Sequence, residues 1–174
     1  MYDAALKMPP KVSVTVRNAR SDDLRCLVGI ERNSGGVRYS LRGFKESISS
    51  RHKAMVVAQS GDLLLGYAIY SNYPADVENF IGDGKTNGWY THIERLVVEN
   101  NFRRHGIGSQ LIWHLVDRHA RVGGFRGVEA MVGEREVGQQ LFLKSIGFHC
   151  TAVAEEEGTD DDYIFGLPVI AESK

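Results

Sequence analysis

The chain has 174 residues, with 21 basic side chains against 22 acidic ones and 43% hydrophobic residues. That length supports one domain with its own core, and the balanced charge gives no electrostatic basis for general nucleic-acid binding. No apolar run approaches the roughly 18 residues of a membrane-spanning helix, and no secretory segment opens the chain. The expectation is a cytoplasmic protein without a membrane or nucleic-acid partner.

The first ten residues close on Pro9-Pro10, show no periodicity and read as a loose leader, with Met8 an alternative start. Residues 11–170 are expected to form the domain, and 171–174 a tail. Val12, Val14 and Val16 alternate with Ser13 and Thr15 as a first strand. Ser21 with Asp22 and Asp23 starts a helix whose buried face carries Leu24, Leu27, Val28 and Ile30, and Asn33-Ser34-Gly35-Gly36 ends it. Ser40 caps a second helix over Leu41 to Ser49. Ala54–Ala58 and Leu63–Tyr70 form strands around the tight turn Ser60-Gly61-Asp62. The polar stretch from Tyr73 to Trp89 has no clear element, and loops of that length are usually functional or mobile. The two cysteines, Cys26 and Cys150, make no disulfide framework and read as buried thiols in apolar settings.

The most informative stretch runs from Ile93 to Leu111. Leu96, Val97 and Val98 are a continuous apolar run, as in a strand covered on both faces. Ile107, Leu111, Ile112, Leu115 and Val116 recur at helical spacing. Between them lies Arg103-Arg104-His105-Gly106-Ile107-Gly108, at a helix start whose first amides lack acceptors. Those donors and the positive end of the helix dipole make an anion site, and the glycines let a phosphate approach the backbone. The dinucleotide fingerprint fails for want of a third glycine, and the P-loop for want of Gly-Lys-Ser/Thr.

After Gly123-Gly124, Val128–Val132 is a strand expected to pair in parallel with the strand before the helix. Glu136 to Ser145 is a helix with Val137, Leu141 and Phe142 inward, and Gly147 its left-handed cap. Two strands, His149–Ala154 and Tyr163–Leu167, flank a turn with six carboxylates in the eight residues from Glu155 to Asp162.

Arg103-x-x-Gly106-x-Gly108 after a Leu-x-Val strand, in "LVVENNFRRHGIGSQLI", resembles the acetyl-CoA motif of the GNAT N-acetyltransferase superfamily. "LFLKSIGFHC" is similar to its second signature, a helix ending in Leu-Tyr-x-x-x-Gly-Phe, and "DDYIFGLPV" is like the last strand of bacterial ribosomal-protein N-terminal acetyltransferases. The element order β-α-α-β-β-β-α-β-α-β-β is that of the GNAT fold, an α/β class with a mixed sheet. The resemblance implies acetyl-CoA as co-substrate, with no metal, and a primary amine as acceptor: a protein or peptide N-terminus, a polyamine or another small amine. It implies that the loop from Arg103 through Arg104, His105, Gly106, Ile107 and Gly108 to Ser109 holds the pyrophosphate, and that Leu96, Val97 and Val98 hold the pantetheine arm. Arg135 stands where the family has a CoA-contacting asparagine, and Phe142 where much of it has a tyrosine acid. A homodimer is plausible on the same ground.

An amine must be neutral before it attacks a thioester. At pH 7 that costs a Lys-like amine about 4–5 kcal/mol and an α-amine about 1.4 kcal/mol, so a proton acceptor is needed. His92 and Glu94 are two apart and project from one face of the strand before the loop. The resemblance favours Glu94 as base, with His92 as a second candidate. Ribosomal-protein enzymes carry a glutamate base on the next strand; Ala130 stands at that position, and Glu129 would face the other side of the sheet. A thiolate with pKa near 8.5 can leave without an acid; Tyr163, Tyr90 and Tyr39 are candidate replacements for the tyrosine. The acidic turn would attract a cationic amine or stand solvated, and Asn33–Ser40 and Tyr73–Trp89 would form the other walls. The alternative to an enzyme is a non-catalytic acyl-CoA-binding regulatory module.

Overall fold

The computed structural model describes residues 12–34, 39–74, 88–155 and 160–169. The leader, the tail, Gly35-Gly36, most of the Tyr73–Trp89 connection and the centre of the acidic turn lie outside them.

Seven strands and four helices follow in the expected order: β1 (Thr15–Asn18), α1 (Leu24–Ser34), α2 (Leu41–Ser49), β2 (Lys53–Ser60), β3 (Leu63–Pro74), β4 (Trp89–Val98), α3 (Ile107–Ala120), β5 (Phe125–Gly133), α4 (Val137–Ser145), β6 (His149–Ala154) and β7 (Asp162–Pro168). The strands make one sheet in the order β1-β2-β3-β4-β5-β7-β6. Among the described residues only β4 and β5, joined through α3, pair in parallel. Alternation along each strand separates two cores. Val56, Ala68, Ile93, Val128 and Ala130 pack with Leu111 and Leu115 of α3 and Leu143 of α4 on one face. Met55, Val57, Tyr67, Ile69 and Val97 pack with Leu27 and Ile30 of α1 and Phe44 of α2 on the other.

The local signals act as the sequence indicates, with some shifts. Ser40 Oγ accepts from the Gly43 amide at 3.0 Å, the expected cap of α2. The helix start at Ser21 is a 3-10 turn, Ser21–Asp23, that feeds α1. The Asp23 carboxylate receives both Arg17 guanidinium nitrogens at 2.8 Å and the Arg20 amide at 2.7 Å. The Arg17 hydrogen bonds hold its pKa below the usual carboxylate range. Regular pairing of β1 begins only at Thr15, although Val12, Val14 and Val16 all pack on the α3 core.

Two expectations are corrected. Cys26 and Cys150 are exposed free thiols: Cys26 precedes the buried Leu27 and so faces outward on α1, and Cys150 lies on the edge strand β6. On α4, Val137 and Leu141 are 55% and 62% exposed. The inward stripe is Phe142, Leu143 and Ile146, which continues through Gly147 (φ 99°) to buried Phe148. The Phe148 amide reaches Leu143 O at 3.1 Å and the Gly147 amide Lys144 O at 3.2 Å, a Schellman cap that sets which face of α4 turns inward.

Candidate active site

The parallel ladder between β4 and β5 runs from Trp89–Phe125 to Ile93–Ala130 and stops. β4 goes on pairing with β3 as far as Val98–Gly66, and β5 with β7 as far as Gly133–Asp162. The two central strands therefore fork, each turning an edge of main-chain donors and acceptors into the gap. A β-bulge lies at the fork: Arg95 faces Ile69 while Ile93 faces Tyr70, so Glu94 is an extra residue in the ladder. An inserted residue bends its strand, and here it also reverses the faces. Ile93 lies in the α3 core, whereas Arg95 reaches the α1 side.

At the far end of β4 the loop turns into α3. Arg104 (φ 64°) and Gly106 (φ 78°) are both left-handed, and Gly106 immediately precedes Ile107 at the helix start. A Cβ on Gly108 would stand 3.1 Å from Phe142 Cζ and 3.8 Å from Leu96 Cδ2, so any larger residue would press on the Phe142 ring where α3 starts against α4. The first amides of α3 lack intrahelical acceptors by construction. Arg103 and Arg104 are exposed beside them, although the Arg103 guanidinium also donates to Ser34 O at 3.1 Å and Val98 O at 3.3 Å, tying the loop to the end of α1. His105 Nδ1 donates to Arg103 O at 2.7 Å, leaving Nε2 free of that contact. Donors, cations and close backbone together fit a diphosphate.

The face of β4 toward α1 and α2 carries a row of charged contacts. His92 Nδ1 lies 3.1 Å from Glu129 Oε1 on β5. Glu94 is ion-paired with Lys53 of β2, and that hydrogen bond pushes the Lys53 pKa up. Arg95 is ion-paired with Glu31 of α1, which also takes the Tyr67 hydroxyl at 2.6 Å and the Tyr39 amide at 2.8 Å. His92 and Glu94 thus share a face, as their spacing indicates. Glu129 does face away from Ala130, as expected, and that other side is the His92 side. One signal was present: a carboxylate in the otherwise apolar alternation Val128, Ala130, Val132.

Leu96 and Val98 turn their side chains to the α3 core and Val97 to the α1 core, which leaves backbone rather than side chains toward the fork. Arg135 is an exposed residue paired with Asp160 at 2.7 Å, bridging the β5–α4 and β6–β7 turns. Phe142 packs on the α3-side core with its ring against Gly108 at the start of α3. Counting back from the Gly147 cap, however, the residue four before the glycine is Leu143, so the tyrosine place belongs to Leu143 rather than Phe142. Neither has a hydroxyl. Of the tyrosines weighed as replacements, the Tyr39 hydroxyl shares a 2.8 Å hydrogen bond with Ser47 Oγ, away from the fork, and Tyr90 is buried.

A model of the acetyltransferase (GNAT) family matches residues 17–148. Among curated proteins none matches this sequence. The fold is similar to that of Arabidopsis thaliana NAA60 in complex with acetyl-CoA, with a TM-score of 0.74 at 22% identity over 90% of this chain and 99% of that one. It is also similar to the Escherichia coli ribosomal-protein-S18-alanine N-acetyltransferase, with a TM-score of 0.68 at 17% identity over 90% of this chain and 94% of that one. A third similar structure is Arabidopsis thaliana Naa50 in complex with the bisubstrate analogue CoA-Ac-MVNAL, with a TM-score of 0.66 at 20% identity over 90% and 99%.

Proposed function

The chain belongs to the acetyltransferase (GNAT) family, and from that premise we propose that it moves an acetyl group from acetyl-CoA to the α-amine of a polypeptide N-terminus. The observation that carries this reading is the fork between β4 and β5 beside the glycine-bearing start of α3. The loop from Arg103 to Ser109 would hold the pyrophosphate with its amides and cations, and the backbone of Leu96, Val97 and Val98 would receive the pantetheine arm as an added strand. Arg135, paired with Asp160, would border the site rather than bind within it. Phe142 would close the fork from the α4 side.

Bound acetyl-CoA supplies an activated thioester carbonyl. The amine nitrogen bonds to that carbon, the C–S bond breaks, and one proton leaves the amine. Of the two candidates, His92 is better placed to take it: Glu94 is ion-paired with Lys53, whereas His92 can present its second ring nitrogen. Glu94 then contributes charge at the bulge. An α-amine suits this site because its neutral form costs about 1.4 kcal/mol at pH 7, within reach of one imidazole. The peptide-mimicking analogue bound by the similar Naa50 supports the same choice.

Thiol release from acetyl-CoA, followed across peptides beginning with Met, Ala or Ser, polyamines and aminoglycosides, tests the reading. The expected result is turnover with peptides and thermal stabilisation by acetyl-CoA. Stabilisation without turnover on any amine would point instead to an acyl-CoA-binding module, and neither response would sink both.

A further inference from the structure

We propose that Glu129 is a positioning residue for acetyl transfer: its buried carboxylate accepts the Nδ1 proton of His92 and so presents the unprotonated Nε2 to the incoming amine. This rests on the N-acetyltransferase reading above and adds to it a group on a second strand.

Glu129 is 1% exposed and sits on the central strand β5. Burying an ionised carboxylate is costly unless it is hydrogen-bonded or paired. One of its oxygens meets His92 Nδ1 at 3.1 Å; the other has no hydrogen-bond partner among the described residues. An ionised carboxylate only accepts, so the ring nitrogen facing it must carry a hydrogen, and a neutral imidazole then has its lone pair on Nε2. That is the tautomer a general base needs. His92 keeps 25% of its side chain exposed while its partner is enclosed, so the pair has a closed end and an open end.

The register places the pair. His92 faces Glu129 one step before the last rung, Ile93–Ala130, after which the strands fork. The other titratable and charged groups toward His92 are few among the described residues. On β4 they are Tyr90 two residues before and Glu94 two residues after, the latter held by Lys53 of β2. On β3 the buried Tyr73 hydroxyl lies close enough to Glu129 to feel its charge; burial, then that carboxylate, push its pKa up and keep it protonated. Lys53 is committed to Glu94, which leaves the imidazole to meet Glu129.

The test uses the full chain and three variants: Glu129→Gln, His92→Gln and the double substitution. Glu129→Gln conserves shape and removes the obligatory acceptor. It is expected to lower kcat about a hundredfold with KM for acetyl-CoA changed less than twofold, the range in which a general base acts. The double variant should fall no further than His92→Gln alone, because Glu129 acts through His92. Ring 15N resonances should show wild-type His92 with Nδ1 protonated, and a mixture of tautomers in Glu129→Gln. Multiplicative losses in the double variant would make Glu129 merely structural and overturn the proposal. So would an active Glu129→Gln enzyme or an unchanged tautomer. A wild-type protein that binds acetyl-CoA and acetylates nothing would overturn the function itself, a different result from an active enzyme indifferent to Glu129.

Discussion

Tyr67 donates its hydroxyl to Glu31 Oε2 at 2.6 Å, across the interface between β3 and α1. Arg95 closes the network from β4, donating to Glu31 and, at 3.1 Å, to the Tyr67 oxygen, and Glu31 also accepts from the Tyr39 amide. One buried carboxylate thus joins α1, the segment leading into α2, and the strand that carries His92. Burial and the Glu31 hydrogen bond both push the Tyr67 pKa up, so it stays a donor.

Removing that carboxylate leaves Arg95 partly buried without its counter-charge. Glu31→Ala is expected to cost about 3 kcal/mol, read as a lower urea midpoint at unchanged slope. Tyr67→Phe, which deletes the hydrogen bonds to Glu31 and from Arg95, should cost about 3 kcal/mol. A variant at Glu31 with wild-type stability would show that the network does not hold α1.

The pairing of Glu94 with Lys53 separates the two candidate bases. Glu94→Gln keeps the side-chain shape and should lower kcat less than tenfold, whereas His92→Gln should lower it about a hundredfold. Steady-state rates on one peptide decide between them, and the reverse ranking would return the base to Glu94.

Gly106 and Gly108 have different reasons to be glycine, and substitution should show it. Gly106→Ala places a Cβ on a left-handed residue and is expected to cost about 1–2 kcal/mol of stability. Gly108→Ala meets the Phe142 ring, so it should raise KM for acetyl-CoA. Adding Phe142→Leu should restore part of that loss, measured by titration with acetyl-CoA. Equal effects of the two alanines with no rescue would contradict the packing explanation.

His119 is 5% exposed among Trp89, Tyr70 and Phe125. Thr91 Oγ1 donates to Asn72 Oδ1 at 2.8 Å, so the 2.7 Å contact with His119 has the ring Nδ1 as donor to Thr91. Burial, followed by the nearby Arg118 and His114, lowers its pKa to about 4. The unfolded chain binds this proton from pH about 6.5 downward. Stability from this residue is therefore complete above pH 6.5 and declines as pH falls toward 4, by up to about 1.4 kcal/mol per unit. Between pH 6.5 and 5 wild type should lose about 2 kcal/mol more than His119→Gln, as measured by denaturant unfolding. Parallel curves for the two proteins would refute it.

Much of this was legible in the chain itself. Ser40 before Leu41, Gly147 after Ser145 and the turn at Gly61 are local signals, and local backbone rules apply wherever such residues occur. The order of elements follows from periodicity, and the left-handed entry into α3 at Gly106 from glycine spacing. Val137 and Leu141 were misplaced because a short apolar helix offers more than one stripe, and the cap plus the packing of Leu143 and Ile146 select among them.

The residues alone indicated a strand, a basic glycine loop and a helix whose start offers unpaired amides, since those features are contiguous. Tertiary structure alone decided what faces His92. Register between two strands 37 positions apart is set by packing and by the bulge at Glu94, neither of which is encoded locally. The same bulge gives Glu94 to Lys53 and turns Arg95 to Glu31, so the charges of β4 acquire their separate roles only once the sheet has formed.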